Sequence, residues 1–379
     1  MSMRDRENVL LLSYEKLQKD PRSTIEKICQ FLGKKLNPEE LDSVLKNSSF
    51  QVMKQNKMSN LEILPETLIS KEFKITRKGI SGDWKNHFTV AQAEAFDKVY
   101  QEKMLIRDSR ILSYEVIKEV CAQFVIKDED TVMVSYPKSG SHWLIEILCL
   151  IHSKGDTKWI RSVPIWERAP WLESDGGYKL LKEREGPWLL ASHLPFHLFP
   201  KSFFTSKAKV IYIMRNPKDV LVSGYYYWTI TNFSKKPESL EQYFKWFLQG
   251  YVPYGSWFEH IRGWMSMRHR KNVLLLSYEE LQKDPRSTIE KICDFLGKKL
   301  NPEELDSVLK NSSFHVMKQN KMSNLEILSE EFSSRHFKIT RKGICGDWKN
   351  HLTVAQAEAL DKVYQEKMAN FPKELFPWE

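Results

Sequence analysis

Lys138, Ser139 and Ser141 cluster around Gly140 in the run Tyr136-Pro137-Lys138-Ser139-Gly140-Ser141-His142-Trp143. A cation and two hydroxyls at this spacing are donors for a phosphate or sulfate group. The run follows Thr131–Ser135, which reads as a buried strand, and precedes Trp143–Ile151, which reads as a buried helix. Strand, glycine turn and helix make an anion cradle, because the free N–H groups of a helix N-terminus point outward and its dipole favours negative charge. The competing reading is an ordinary strand–helix turn beside a solvated lysine. Two more polar residues end apolar runs: His193 closes Trp188–His193, and Arg215 follows Lys209–Met214. A histidine titrating near neutral suits a general base, and an arginine suits a phosphate held without metal.

The cradle differs from a nucleoside triphosphate loop. That pattern needs Gly-x-x-x-x-Gly-Lys-Ser/Thr, whereas here the lysine precedes the glycine and no Gly-Lys-Ser/Thr occurs. The magnesium-binding Asp at the end of a second strand is also missing, since Lys209–Met214 ends on Arg215. A kinase-like enzyme is therefore disfavoured.

The elements around these residues alternate strand with helix from Phe124 onward. Thr131–Ser135, Trp188–His193 and Lys209–Met214 are the strands, with an aromatic loop (Ile165–Tyr178) before the second and a helix from Pro217 through Trp228 after the third. This alternation predicts a parallel α/β sheet with its ligand at the carboxyl ends of the strands, where Tyr136, His193 and Arg215 converge. Farther on, Asn272–Tyr278 reads as a strand and Ile289–Leu296 as a helix stopped by Gly297. Asn301-Pro302-Glu303-Glu304 supplies an N-cap, a proline at the first helical position and early acids. A basic loop, Arg341–Trp348, precedes a last helix from about Thr353 to Met368.

Residues 1–104 repeat residues 265–368 without a gap, and about 90 of the 104 positions are identical. Two copies at so long a period are no solenoid but a duplicated segment ahead of a complete domain. The first copy repeats the expected strand at Asn8–Tyr14. Residues 105–123 join the copies, with one helix expected over Ser113–Gln123.

The chain has 379 residues, 41% of them hydrophobic, enough for one large domain or two ordinary ones. Its net charge of +9 suits anionic ligands, but the signs are mixed without a long basic run, so nucleic acid is not indicated. Twelve Trp, 14 Tyr and 20 Phe can wall an apolar pocket. Five cysteines, with no Cys-x-x-Cys, point to reduced thiols in the cytoplasm. The polar start is no signal peptide, and no apolar run reaches the length of a membrane span.

From about Phe124 to Glu379 the chain resembles the cytosolic sulfotransferases, nearest their hydroxysteroid (alcohol and bile-salt) branch. The resemblance rests on Tyr-Pro-Lys-Ser-Gly (136–140), Ser-Val-Pro-Ile-Trp-Glu-Arg (162–168), Ser-His-Leu-Pro (192–195), Arg-Asn-Pro-Lys-Asp-Val-Leu-Val-Ser-Gly-Tyr (215–225), Tyr-Gly-Ser-Trp-Phe (254–258), Arg-Lys-Gly (341–343) and Gly-Asp-Trp-Lys (346–349), all in the family's order. It implies transfer of a sulfuryl group from the co-substrate 3′-phosphoadenosine-5′-phosphosulfate (PAPS) to an acceptor hydroxyl, with no metal. It assigns Lys138, Ser139, Gly140, Ser141, His142 and Trp143 to the 5′-phosphosulfate, and Arg215, Ser223, Arg341, Lys342 and Gly343 to the 3′-phosphate. Tyr278, Ser312 and Phe314 fall to the adenine side. His193 becomes the catalytic base and Lys138 the cation at the leaving phosphate. Trp166, Trp171, Trp228, Phe233 and Tyr254, together with Tyr227 and Trp257, are candidates for an acceptor wall that suits a flat apolar alcohol. A homodimer through Lys349, Thr353, Val354 and Glu358 is also implied.

The sequence departs from the family where Gly-Ser-His-Trp replaces Gly-Thr-Asn/Thr-Trp; His142 reads as a helix-start filler rather than a second base. The family's aromatic Gly-Ile-x-Phe-Pro segment has no counterpart, and the duplicate stands in its place. The expected fold class is α/β, a P-loop-like parallel sheet flanked by helices, preceded by a partial duplicate of its C-terminal part. The expected domains are residues 1–104 (duplicate), 105–123 (connector) and 124–379 (sulfotransferase). The alternative function is a non-catalytic nucleotide- or steroid-binding protein.

Overall fold

The computed structural model describes residues 10, 12–59, 78–90, 92, 114–183, 185–327 and 339–378. The chain divides into two compact units, Met1–Asp97 and Lys98–Glu379.

The larger unit is built on four parallel strands: β1 (Thr131–Ser135), β2 (Leu189–Ser192), β3 (Lys209–Met214) and β4 (Val273–Ser277), in the order β2-β1-β3-β4. The expected strands are present, each trimmed to its paired residues. Both sheet faces are covered, as parallel sheets require. Because side chains alternate along a strand, β3 sends Val210, Tyr212 and Met214 into one apolar cluster and Ile211 and Ile213 into the other. The first cluster holds helices Pro217–Ile230 and Trp257–Met265; the second holds Ser141–His152, Pro285–Leu296 and Pro302–Asn311.

Helix ends follow the sequence signals. Gly297 stops Pro285–Leu296 in a left-handed cap, and Asn301 closes a capping box with Glu304. Thr353 caps the last helix, Val354–Met368. Part of the expected connector is integral to this unit: helix Tyr114–Gln123 buries Ile117 and Val120 in the first cluster. The expected aromatic loop is largely ordered structure instead. Ile165–Arg168 forms a helical turn, Asp175–Glu183 a helix, and Pro170–Leu172 exchanges backbone hydrogen bonds with Ala191 of β2. The period-2 and period-3.6 signals are too short there to be read.

The smaller unit contains helices Tyr14–Lys19, Pro21–Phe31, Pro38–Asn47 and Phe50–Gln55. The strand expected at Asn8–Tyr14 is not found: Leu10, Leu12 and Ser13 belong to no strand and Tyr14 opens a helix, while Asn8, Val9 and Leu11 lie outside the described residues. A strand is held by ladder bonds to a neighbour, and the described residues of this unit contain no other strand. Lys16 stands where the C-terminal copy has Glu280, so Ser13 caps its helix alone whereas Ser277 shares a capping box.

Candidate active site

β2 and β3 flank β1, and their connections leave β1 on opposite sides. A crevice opens at such a reversal of strand order, outside the carboxyl ends of the strands. Lys138 to Trp143 fill it. Gly140 holds φ +100, and a Cβ there would lie 2.7 Å from the Tyr278 ring, so the turn excludes side chains. Lys138 itself has φ +70, a strained state for a lysine. Helix Ser141–His152 starts immediately after, with its free N–H groups at the crevice.

A cavity of about 1120 Å³ occupies this position. Its walls include Lys138, Gly140, Ser141, His142, Trp143, His193, Arg215, Ser223, Tyr278, Ser312, Phe314, Arg341, Lys342 and Gly343. The candidate acceptor residues Trp166, Trp171, Trp228, Phe233 and Tyr254 line it too, as does Tyr227. Ser139 is fully buried behind the wall, and Trp257 is core rather than wall. At this size the cavity has room for a nucleotide and a second molecule together.

The donor side is strongly cationic. Lys138 Nζ sits 4.1 Å above the Tyr227 ring and forms no ion pair among the described residues. Burial, then Arg215 and Arg341, push its pKa down to about 7. Arg215 donates to the carbonyls of Lys138 (3.2 Å) and Ile344 (2.9 Å) and stacks 4.1 Å from Tyr278. Arg341 and Lys342 each reach Asp347 at 2.7 Å. Asp347 also meets His351 at 3.0 Å. Gly343 (φ +70) packs under Phe314, where a Cβ would approach the ring to 2.3 Å.

Buried polar atoms without a partner among the described residues gather here: Ser139 Oγ, Trp143 Nε1, Arg215 Nε, Thr340 Oγ1 and Arg341 Nε. Buried donors without partners are costly unless a ligand satisfies them. Four of the five belong to nitrogen or hydroxyl donors on the cavity wall, a set that fits a polyanionic nucleotide.

In the same cavity, His193 Nδ1 donates to the Ser135 carbonyl at 2.6 Å. That fixes the tautomer with Nε2 free of the proton. The ring lies between Trp171 (4.2 Å) and Tyr254 (5.1 Å). Burial pushes its pKa down to about 3, so the imidazole is neutral. The carbonyl of His193 accepts from His260 Nε2 at 3.1 Å. One ring nitrogen anchors His193 to β1 while the residue lines the cavity. His142 is likewise neutral, lowered to about 3 by burial and then by Lys138 and Arg168.

Some residues that shape the site had no signal in sequence. Asp219 accepts from the N–H groups of Gly346 (2.7 Å) and Trp348 (3.1 Å), clamping the basic loop to helix Pro217–Ile230. Gln282 donates to the Gly343 carbonyl at 2.7 Å. Asp219 and Asp347 stand inside stretches that already attracted notice, but their partners are distant in sequence. Arg77, the twin of Arg341, lies outside the described residues. Among the described residues, no three His, Cys, Asp or Glu side chains group to hold a metal, and no helix is long and apolar enough to cross a membrane.

Comparison with known proteins agrees with this geometry. The family profile described as "Sulfotransferase domain" matches residues 1–106 and 128–372. Sulfotransferase 2A1 of Macaca fascicularis is 67% identical over 265 residues, 70% of this chain and 93% of that protein. The 3-beta-hydroxysteroid sulfotransferase of Cavia porcellus is 62% identical over 267 residues, again 70% of this chain and 93% of the relative. Among solved structures, mouse sulfotransferase SULT7A1 complexed with PAP superposes with a TM-score of 0.59 at 30% identity, covering 69% of this chain and 92% of that one.

Proposed function

Because this chain belongs to the sulfotransferase family and is a PAPS-dependent enzyme, we propose that it sulfates the hydroxyl of a steroid or similar apolar alcohol. His193 takes the hydroxyl proton on Nε2 as the alcohol oxygen attacks sulfur. The bond from sulfur to the bridging phosphate oxygen breaks, and Lys138 neutralises the charge that gathers on that oxygen. The released nucleotide carries the electron pair away. Stabilising charge where it develops is the larger part of such catalysis.

The observation that carries this reading is one cavity with Lys138 and His193 on its wall and Trp166, Trp171, Trp228, Phe233 and Tyr254 around them. The names of the relatives at 62–67% identity favour a hydroxysteroid acceptor. We assign Lys138 to Trp143 to the phosphosulfate, Arg215, Ser223, Arg341, Lys342 and Gly343 to the 3′-phosphate, and Tyr278, Ser312 and Phe314 to the adenine side. The exposed residues Lys349, Thr353, Val354 and Glu358 support a homodimer contact, and we place the protein in the cytoplasm. We also read residues 1–104 as a duplicate, 105–123 as a connector and 124–379 as the sulfotransferase domain.

The test is transfer from labelled PAPS to a panel of alcohols. Labelled steroid sulfate is expected. Nucleotide binding with no product from any alcohol would instead establish the rival, a non-catalytic binding protein.

A further inference from the structure

Glu173 is a fully buried carboxylate that the chemistry above does not use. One of its oxygens accepts the backbone N–H of His193 at 2.7 Å; the other accepts the Ser192 hydroxyl at 2.9 Å. Ser192 Oγ in turn accepts the N–H of Leu194 at 3.0 Å. Three consecutive residues at the end of β2 therefore hang on one carboxylate. Glu173 itself follows the segment Pro170–Leu172 that is bonded along β2, and Trp171 and Ser174 on either side of it line the cavity. The Tyr254 phenol lies against the same carboxylate, and burial, then the Glu173 charge, raises its pKa. Tyr254 holds φ +69, a strained state for an aromatic residue that needs support from its surroundings.

We propose that Glu173 is a positioning residue for sulfuryl transfer: its ionised carboxylate fixes the His193 backbone to the acceptor wall of Trp171 and Tyr254, so that base and acceptor are held in register. This rests on the sulfotransferase reading above. An ionised carboxylate has two acceptor oxygens for the two donors; a protonated one gives up part of that capacity to its own O–H. Misplacing a reacting group by about an ångström costs on the order of 10²-fold in rate.

Burial raises the Glu173 pKa to about 7, against the donors from His193 and Ser192 that hold it down. The titratable groups around this corner are His193 at the end of β2, Tyr254, Tyr227 on helix Pro217–Ile230, His260 on helix Trp257–Met265, His142 on helix Ser141–His152, and Lys138 in the cradle. The three histidines are all pushed to about 3, and the two tyrosines are raised. Lys138 is lowered to about 7, but a bound phosphosulfate restores its proton. With nucleotide saturating, Glu173 is the group of this corner that titrates near neutrality.

The experiment measures kcat for a 3β-hydroxysteroid at saturating PAPS from pH 6 to pH 8.5, with the affinity for PAP measured alongside, in the full chain and its variants. The wild-type kcat should fall as the pH drops through about 7. Glu173→Gln should show a kcat lower by roughly 10-fold at pH 8, no step near 7, an approach to within about twofold of wild type at pH 6, and PAP affinity within about twofold. Ser192→Ala removes one donor that stabilises the ionised form and should move the step to higher pH. A Glu173→Gln chain with wild-type kcat at pH 8, or one that keeps the step, overturns the proposal. So does a parallel loss of PAP affinity, which marks general collapse. Lack of turnover in the wild-type chain overturns both this inference and the reading beneath it.

Discussion

The imidazole of His193 gives its Nδ1 proton to the carbonyl of Ser135, a residue 58 positions earlier in the chain and the last of β1. Acid–base chemistry at Nε2 depends on that bond, because it sets both the tautomer and the direction of the free lone pair. The strand that leads into the Lys138–Trp143 turn thus also orients the His193 ring.

His193→Ala should abolish turnover while leaving nucleotide affinity nearly intact, since the base acts on the acceptor and not on the donor. Turnover and PAP binding measured on the same preparation check this. Collapse of both together would make His193 structural.

Lys138→Ala should lower kcat by roughly 10²–10³-fold, the usual effect of removing one stabilising group at a developing charge. Nucleotide binding should weaken as well. Near-native turnover in this variant would contradict the cradle assignment.

The two Arg-Lys-Gly loops should be unequal. Arg341 lines the cavity and shares Asp347 with Lys342 and His351, and it follows the cradle in one continuous chain. Direct closure of that kind costs less entropy than reaching the site from residues 1–104 through the 105–123 connector. Arg341→Ala should therefore destroy 3′-phosphate binding, and Arg77→Ala should be nearly silent. The two affinities, compared side by side by calorimetry, decide; the reverse pattern would mean that the first copy completes the working site.

Stability should fall in acid. His260 is fully buried, bonded to Tyr212 and to the His193 carbonyl, and its pKa is pushed from 6.5 down to about 3. Below pH 6.5 the unfolded chain takes a proton there, and one each at His142 and His193, which are likewise lowered to about 3, and the folded chain refuses all three. The stabilising contribution is present above 6.5 and is lost toward 3, at about 1.4 kcal/mol per pH unit for each such proton. Glu173 and Glu279, both raised to about 7, act in the opposite sense: folded, they bind protons that the unfolded chain takes only near 4.5. The decline should be steepest below about pH 4.5, where that offset ends. Urea midpoints at stepped pH test it, and a constant midpoint from pH 6.5 to 4 would refute it.

Much of the site was legible because its signals are local. A strand, a glycine turn and a helix lie consecutively at Thr131–His152, and the cap of each later helix sits within four residues of the helix it starts. His193 and Arg215 were recognisable because each ends an apolar run. Parallel strands put those ends on one edge of the sheet, whereas the order β2-β1-β3-β4 came from the structure. What the sequence left open concerns partners far apart in the chain: Asp219 with the loop at Gly346–Trp348, Ser135 with His193, and above all Glu173, an acid between Leu172 and Ser174 with nothing around it to mark it as buried.

The plainest case is Asn-Val-Leu-Leu-Leu-Ser-Tyr, which occurs at Asn8–Tyr14 and again at Asn272–Tyr278. Composition made it a strand in both places. In the second, Val273–Ser277 pairs with β3 over five residues and becomes β4; in the first, Leu10, Leu12 and Ser13 form no strand. The sequence alone determined that the stretch is apolar and extended-compatible, and that a glycine turn, a histidine at a strand end and a basic Arg-Lys-Gly loop occur in one order. Tertiary structure decided which copy is a strand and which side chains share a cavity, because a ladder bond, like a buried charge, takes its energy from a neighbour that local sequence does not supply.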